Sequence, residues 1–245
     1  MSAGANDGGG GGGMAGRWRL VQLADSGFPA GGFAHSGGLE AAVALGRVRG
    51  EGAVVAFATA AMWQAGTFAL PYVREAQASA GDARDAADDT CDVATLDARC
   101  DRAQSGHVTR RASRAQGRAW MRACSEVFGA ELGANAAAPV PAAALPFGHW
   151  PVAFGVTVGA LGVEREDALA LYLQIVARGI LSAAVRLGEL GPSAAQRAQD
   201  RMATVAREVI AQCGERAVAD AAHSAPVEEL YANLHDTLPA RLFQS

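Results

Sequence analysis

Lysine is absent from the 245-residue sequence, and all 21 basic residues are arginine. A Walker A loop needs a lysine that reaches the nucleotide phosphates, so this kind of nucleotide site is excluded. Schiff-base catalysis, pyridoxal-phosphate binding and the protein kinase mechanism also require a lysine. The chain is therefore not an ordinary nucleotide-driven or lysine-dependent enzyme.

Residues that favour β-strands are also scarce. The sequence has 3 Ile against 57 Ala, and aromatic residues make up 6% of it. Alanine is the strongest helix former, whereas strands favour β-branched and aromatic side chains. Because half of the residues are hydrophobic and only 19% are charged, the chain can bury a sizeable core. We predict an all-α fold, a single helical bundle of roughly eight to ten helices.

The cysteine spacing and the first residues exclude further classes. None of the four Cys residues forms a CxxC pair, which excludes a zinc ribbon or a thioredoxin-like motif and argues against a disulfide framework. The first 13 residues lack the positively charged start and the apolar stretch of a secretory signal. We therefore expect a cytoplasmic protein.

Charge and hydropathy bear on the kinds of partner. The net charge of −4 and the pI near 5.7 argue against nucleic-acid binding, which needs a basic surface. Residues 53–73 are uncharged and about long enough to span a bilayer. They are rich in Ala, however, and poor in the large apolar residues that drive insertion. We predict a buried core helix there and no membrane partner.

Composition divides the chain into a tail and one domain. Residues 1–16 are predicted to be a disordered, Gly-rich tail, because glycine loses the most entropy on ordering. Residues 17–245 are predicted to form the helical domain, with Ala-rich connections near 80–92 and 133–146. A kink is expected near Pro71. Predicted helices cover 18–24, 39–48, 108–127, 166–187 and a segment that opens with a capping box at Ser193–Gln196.

One motif is similar to that of a hydrolase. Ala34-His-Ser-Gly-Gly38 approximates the nucleophile elbow of a serine hydrolase, and Asp and His residues follow downstream. An elbow must follow a buried strand, whereas a turn precedes Ser36. We interpret Ser36 as the N-cap of the next helix and keep a serine hydrolase as an alternative.

Histidine and arginine give less decisive patterns. The five His residues form no HxxxH or HExxH pair, so no helix face presents two metal ligands in that way. Four arginines lie at four-residue spacing on one face of a predicted helix: Arg110, Arg114, Arg118 and Arg122. This face either binds an acidic partner or is a solvated face whose Arg stems cover apolar surface. The sequence leaves both open.

Four ordered blocks resemble one family. Leu20-Val-Gln-Leu-Ala-Asp-Ser-Gly-Phe-Pro-Ala-Gly-Gly-Phe-Ala-His-Ser-Gly-Gly-Leu-Glu40 resembles the N-terminal signature of the urease accessory protein UreF family. The other three blocks are Arg111–Arg118, His149–Gly155 and Ile180–Gly191. Two departures, Glu189-Leu-Gly-Pro192 in place of a P-L-G-Q turn and a histidine at position 35, resemble the eukaryotic branch of the family.

The resemblance implies a non-catalytic, all-α and usually dimeric chaperone for nickel insertion into urease. Such proteins lie between a UreD/UreH scaffold and the nickel-carrying GTPase UreG, and couple GTP hydrolysis to nickel delivery into apo-urease. The implied partners are therefore UreD/UreH, UreG, apo-urease and a second copy of the chain. No resident cofactor, metal site or catalytic residue is implied. A metallochaperone that binds nickel on its own is the alternative.

The resemblance also implies which residues contact a partner or the second copy. In the glycine-rich loop (residues 26–40), Phe28 and Phe33 are expected to be anchors, and Gly31 and Gly32 to permit close packing. The C-terminal segment (residues 239–245) is expected to order on the scaffold. The complete implied interface set is Phe28, Pro29, Gly31, Gly32, Phe33, His35, Ser36, Glu40, Arg111, Ser113, Gly117, His149, Arg186, Gly191, Pro192, Arg241, Leu242 and Phe243.

Overall fold

A computed structural model describes residues 14–80, 92–135 and 145–245. Within these ranges all regular structure is helical and no strand is present, which confirms the predicted all-α fold. The α-helices are α1 (Met14–Ala24), α2 (Leu39–Ala44), α3 (Gly50–Gln64), α4 (Leu70–Ala80), α5 (Val93–Ala103), α6 (His107–Asn135), α7 (Trp150–Ala160), α8 (Arg165–Arg186), α9 (Pro192–Cys213) and α10 (Pro226–Leu234). Short 3₁₀ turns lie at Gly32–Ala34, Val218–Asp220 and His235–Thr237.

Helix α7 lies at the centre of the fold. Its sequence, WPVAFGVTVGA, is apolar all round and nearly every residue is buried, as expected for a helix without a polar face. Helix α4 packs closely on it at Gly155 and Gly159, where a Cβ atom would collide with the carbonyl oxygens of Val73 and Gln77. Glycine therefore lets these two helices approach backbone to backbone.

Aromatic side chains fill the space between α6, α7 and α8. Trp120 of α6 meets Trp150 edge-on, with ring centroids 5.0 Å apart, and Phe154 packs against both rings. Tyr172 of α8 stacks on Trp150 at 5.6 Å. Aromatic pairs add directional attraction to apolar burial, so this cluster fixes the relative positions of three helices.

A π-helical turn, Ala65–Ala69, joins α3 to α4 without a break. Pro71 has no N–H to donate to the Thr67 carbonyl four residues earlier. That carbonyl instead accepts the Ala222 N–H at 3.1 Å. The disturbance expected near Pro71 is therefore a π turn inside a continuous helix, a feature that is rare in regular helices.

Two helical stretches, Gly50–Ala80 and Arg165–Arg186, are long and apolar enough to cross a membrane by length and composition alone. In the fold, 50% of the most apolar part of the first stretch and 61% of that of the second are buried. Helix α3 packs against α8. Core helices of globular proteins have the same composition because their apolar faces meet other helices. Both stretches contribute side chains to the core of this fold.

The first two helices differ in length from the predictions. Helix α1 begins at Met14 rather than at residue 18, so the last residues of the predicted tail are helical. Helix α2 ends at Ala44 rather than at residue 48, because Gly46 adopts a left-handed φ of 68° that closes the helix. The rest of the predicted tail, residues 1–13, lies outside the described residues.

Later helix ends also differ. Helix α6 runs to Asn135, although Phe128 has non-helical dihedral angles just after the predicted end at residue 127. The predicted capping box at Ser193–Gln196 is wrong. Helix α9 begins one residue earlier, at Pro192, whose missing N–H needs no cap there, and no side chain caps this end. In the two Ala-rich connections, residues 81–91 and 136–144 lie outside the described residues.

Candidate interaction site

The glycine-rich loop connects α1 to α2 and lies against α6 and α10. Gly31 has a φ of 72°, and a Cβ atom there would lie 2.8 Å from the Cβ of Ala119. Gly38 has a φ of 90°, and a Cβ atom would lie 2.7 Å from the Ala232 nitrogen. Both the left-handed backbone and the close approach favour glycine at these two positions. Gly38, not Ser36, is the N-cap of α2, so the predicted Ser36 cap is wrong.

The two phenylalanines of the loop have opposite surroundings. Phe28 is buried, with its ring centroid 5.2 Å from Trp120 and 6.1 Å from Phe128. Phe33 is 68% exposed. Phe28 therefore holds the loop on the core, whereas Phe33 presents apolar surface at the exterior of the fold.

The C-terminal segment (residues 239–245, the tail) folds back on the loop. The Gln244 N–H donates to the Ala34 carbonyl at 2.8 Å, and the Ser36 N–H donates to the Ser245 carbonyl at 2.6 Å. The Ser36 hydroxyl donates to the same Ser245 carbonyl at 3.0 Å. The tail is therefore ordered against its own chain, although it was expected to order on a scaffold partner.

Glu40 joins the tail to the buried start of α2. Its carboxylate accepts the Leu242 N–H at 2.5 Å and the Phe243 N–H at 3.2 Å. The His235 Nε2 lies 2.8 Å from the same carboxylate, and both side chains are buried. Sequence reasoning placed Glu40 in the interface set but missed His235 as its neighbour.

Arg186, at the end of α8, brings two predicted residues together. Its guanidinium carbon lies 4.0 Å from the Phe33 ring centroid and 4.1 Å from that of Phe243. The Arg186 Nη1 also donates to the Phe33 carbonyl at 2.6 Å. The buried Phe243 ring (6% exposed), the Arg186 guanidinium and the exposed Phe33 ring therefore form a stack at the edge of the fold.

A groove of about 520 Å³ opens beside this stack, between the loop and α8. Its walls include Phe28, Ile175 and Ile180, and its cationic groups are Arg178 and Arg186. None of the described residues that line the groove is acidic. The stack therefore borders a concave surface that is apolar and carries positive charge.

Asp236 links the tail to α6. Arg111 donates to both of its carboxylate oxygens, at 3.0 and 2.7 Å, and His107 and Arg241 lie 3.2 and 3.3 Å away. The hydrogen bonds from Arg111 above all, with smaller help from its charge and from His107, lower the pKa of Asp236 to about 2. Sequence reasoning missed Asp236, although it lies just before the tail and could have been recognised as a carboxylate available to the predicted Arg111.

His35 lies where the loop meets the tail. Its Nδ1 is 2.6 Å from the Ser245 hydroxyl. Burial chiefly, and the nearby Arg111 and His235, lower the pKa of the His35 ring. The ring is therefore neutral near pH 7 and contributes a hydrogen bond rather than a charge.

Ser113, Gly117 and His149, which belong to the implied interface set, lie in a packed network. The His149 ring is fully buried, with Nδ1 3.1 Å from the Ser113 hydroxyl and Nε2 2.9 Å from Asp101. A Cβ atom at Gly117 would collide with the Gly148 carbonyl oxygen. The network therefore holds α5, α6 and the start of α7 together.

Two aspartates that sequence reasoning missed organise this network. The buried Asp97 carboxylate accepts the backbone N–H groups of residues 147, 148 and 149 at 2.7, 2.9 and 2.9 Å. Asp101 accepts from His149 and Arg114, and these hydrogen bonds lower its pKa although burial opposes them. Burial is also the main cause that lowers the pKa of His149. No local sequence pattern indicates these partners, which are 13 to 52 residues away along the chain.

Neither Ser36 nor Ser113 is arranged as the nucleophile of a serine hydrolase. Ser36 is fully buried, and among the described residues its hydroxyl contacts the Ser245 carbonyl and the Glu40 N–H, not a histidine. Ser113 does meet His149 and Asp101 in the order of a catalytic triad. Its oxygen also accepts the Trp150 N–H, however, and it lies within α6, where backbone N–H groups are used by the helix. The serine hydrolase alternative gains no support.

The arginine face of α6 is largely structural. Arg110 donates to the Gln104 carbonyl, Arg114 pairs with Asp101, and Arg118 donates to the Phe147 carbonyl. The Arg114 guanidinium also lies over the Phe147 ring at 4.7 Å. Three of the four arginines therefore hold neighbouring segments, so an acidic partner is not needed to explain them.

Two predicted interface residues lie apart from the loop and tail. Gly191 and Pro192 begin α9, next to Glu189, which pairs with Arg49 and accepts the Gly50 N–H.

Within the described part of the chain, no group of three or more His, Cys, Asp or Glu side chains could hold a metal ion.

The protein is helical, and the loop, the tail and the end of α8 form one composite surface from distant parts of its chain. Comparisons with known proteins identify it further. The UreF family matches residues 48–203, and the chain belongs to this family, whose members are non-catalytic urease accessory proteins.

Named relatives extend the match beyond that range. Urease accessory protein F of Oryza sativa subsp. indica is 30% identical over 228 residues, which cover 92% of this chain and 84% of the relative. Its counterpart in Arabidopsis thaliana is 31% identical over 234 residues, covering 94% and 92%. Urease accessory protein UreF of Jannaschia sp. (strain CCS1) is 32% identical over 248 residues, covering all of both chains. The predicted family is confirmed.

Proposed function

We propose that this protein is a non-catalytic scaffold in urease maturation, which links a UreG-type nickel GTPase to a UreD/UreH-type scaffold and to apo-urease. The observation that carries the proposal is the composite surface of loop, tail and α8. It exposes Phe33 at the cationic groove, and Leu242 (54% exposed) and the Arg241 guanidinium in the tail. Arginine and aromatic side chains on one surface are typical of binding hot spots.

Family membership supports the cellular role in this proposal. The relatives are named as urease accessory proteins, which supports a role in urease maturation. In the proposed assembly, nickel is cargo that the GTPase carries rather than a resident cofactor of this chain. We propose that the chain is a cytoplasmic homodimer, and that GTP hydrolysis by the GTPase is coupled through it to nickel insertion.

Size-exclusion chromatography with light scattering tests the proposal. The chain is mixed with the cognate UreD/UreH-type scaffold and the UreG-type GTPase, and a complex containing all three is expected. Arg241→Ala should reduce the share of scaffold that co-elutes. Arg197→Ala, an exposed arginine on α9, is the matched control and should leave the complex unchanged. A chain that elutes alone in the presence of both proteins would contradict the proposed function.

A further inference from the structure

The Glu40 carboxylate is surrounded by hydrogen-bond donors. Two of them, the N–H groups of Leu242 and Phe243, belong to the tail, and the third is the His235 ring. The other ring nitrogen, His235 Nδ1, is buried and has no partner among the described residues. The ring proton therefore lies on Nε2, where it meets an acceptor.

This arrangement suits a carboxylate and not an amide. A carboxylate is an acceptor on both oxygens, so it satisfies all three donors at once. A glutamine amide at the same place would accept through one oxygen only and would turn an NH₂ group toward a donor. Because Glu40 is 6% exposed, water has little access to replace the lost hydrogen bonds.

We propose that Glu40 is a positioning residue that holds the tail docked on the chain before any partner binds. It lies at the point where the tail enters the fold, ahead of the two backbone hydrogen bonds of Gln244 and Ser245. Without the Glu40 contact, the tail is no longer held at residues 242 and 243. The backbone hydrogen bonds of Gln244 and Ser245 then lose their alignment. The docked tail presents Arg241 and Leu242 in one arrangement, which lowers the entropy cost of binding.

Hydrogen-exchange mass spectrometry on the isolated full-length chain tests the docking. Glu40→Gln should speed amide exchange in residues 240–245 by about tenfold or more. Glu189→Gln is the matched control, because Glu189 is also a poorly exposed carboxylate that accepts a backbone N–H, but its partners are Arg49 and Gly50 rather than the tail. It should leave exchange of the tail unchanged. Equal tail exchange in wild type and Glu40→Gln would overturn the proposal.

Phe243→Ala gives a second route if Glu40→Gln does not fold. It removes the ring that lies on Arg186 and should release the tail from the other side. Exchange of residues 240–242 should then rise while that of α7 stays slow. Leu242→Ala, whose side chain is 54% exposed, should not change exchange of the tail. Wild-type tail amides that exchange at the rate of an unstructured peptide would also overturn the proposal.

The consequence for binding rests on the proposed function and has its own measurement. Titration calorimetry with the UreD/UreH-type scaffold should show about tenfold weaker binding for Glu40→Gln. In a Phe243→Ala background, Glu40→Gln should have no further effect, because both act through the tail. If Glu40 merely supported α2, Glu40→Gln would weaken scaffold binding equally in the wild-type and Phe243→Ala backgrounds. That outcome would overturn the proposal. If the scaffold binds neither form, the proposed function fails while the exchange result still decides the docking.

Discussion

At the scale of single residues, buried carboxylates hold the parts of the chain that have no regular structure. Glu40 receives backbone N–H groups of the tail, and Asp97 receives those that precede α7. Each carboxylate accepts hydrogen bonds from several donors at once. One side chain can therefore pair the backbone N–H groups of a segment that has no partners in a helix or sheet. Their positions explain why the tail and the segment before α7 are ordered.

The Asp97→Asn variant should be substantially less stable. The amide has one acceptor oxygen, so at least one of the three buried N–H groups of residues 147–149 loses its partner. A buried donor without a partner costs about 1–3 kcal/mol in the free energy of unfolding. Urea denaturation measures this change. Asp200→Asn, an exposed position on α9, is the control, and an equal effect of both substitutions would contradict the role of Asp97.

Asp236 should make stability sensitive to acid. Its pKa is lowered from 3.8 to about 2 in the folded chain, so the stabilisation is complete above about pH 4 and is lost as the pH falls toward 2. Thermal unfolding of wild type and Asp236→Asn at a series of pH values measures it. The difference between the two melting temperatures should shrink over this window. A difference that stays constant from pH 5 to pH 2.5 would show that the carboxylate charge contributes nothing.

At the scale of helices, the sequence predicts where they lie better than where they end. Apolar periodicity places α8 correctly, because Leu169, Leu173 and Ile180 are buried in the core. The predicted caps at Ser36 and Ser193 are wrong because glycine and proline geometry begins α2 and α9 instead. The contacts of Glu40 and Asp236 could not be predicted, since their partners lie up to 203 residues away and no local pattern indicates them.

Two helical glycines should respond to alanine in opposite directions. At Gly155 a Cβ atom would collide with the Val73 carbonyl oxygen of α4, which is backbone and cannot move aside cheaply. Gly155→Ala should therefore destabilise the fold by about 1–3 kcal/mol. At Gly179 nothing lies within 4 Å of such an atom, so Gly179→Ala should stabilise α8 by about 0.5–1 kcal/mol. Urea denaturation of both variants checks the signs, and two effects of the same sign would contradict the close packing of α4 on α7.

At the scale of the whole molecule, the candidate site is assembled from segments that are separate in the sequence. Residues near position 33, the end of α8 and the tail meet at Arg186. The family resemblance identified most of these residues but gave no reason for them to be neighbours. Because the tail is part of the fold as well as part of the surface, its loss should affect stability and binding together.

Truncation after Leu238 should therefore lower the thermal stability of the chain, and not only its binding. The truncated chain loses the buried Phe243, worth roughly 1.5–3 kcal/mol, and leaves the Glu40 carboxylate without two of its donors. For a chain of this size, about 1 kcal/mol corresponds to a shift of about 2–4 °C in Tm. Circular dichroism at increasing temperature measures the shift, with Leu242→Ala as a control because that side chain is largely exposed. An unchanged Tm after truncation would mean that the tail is held on the chain too weakly to belong to its fold.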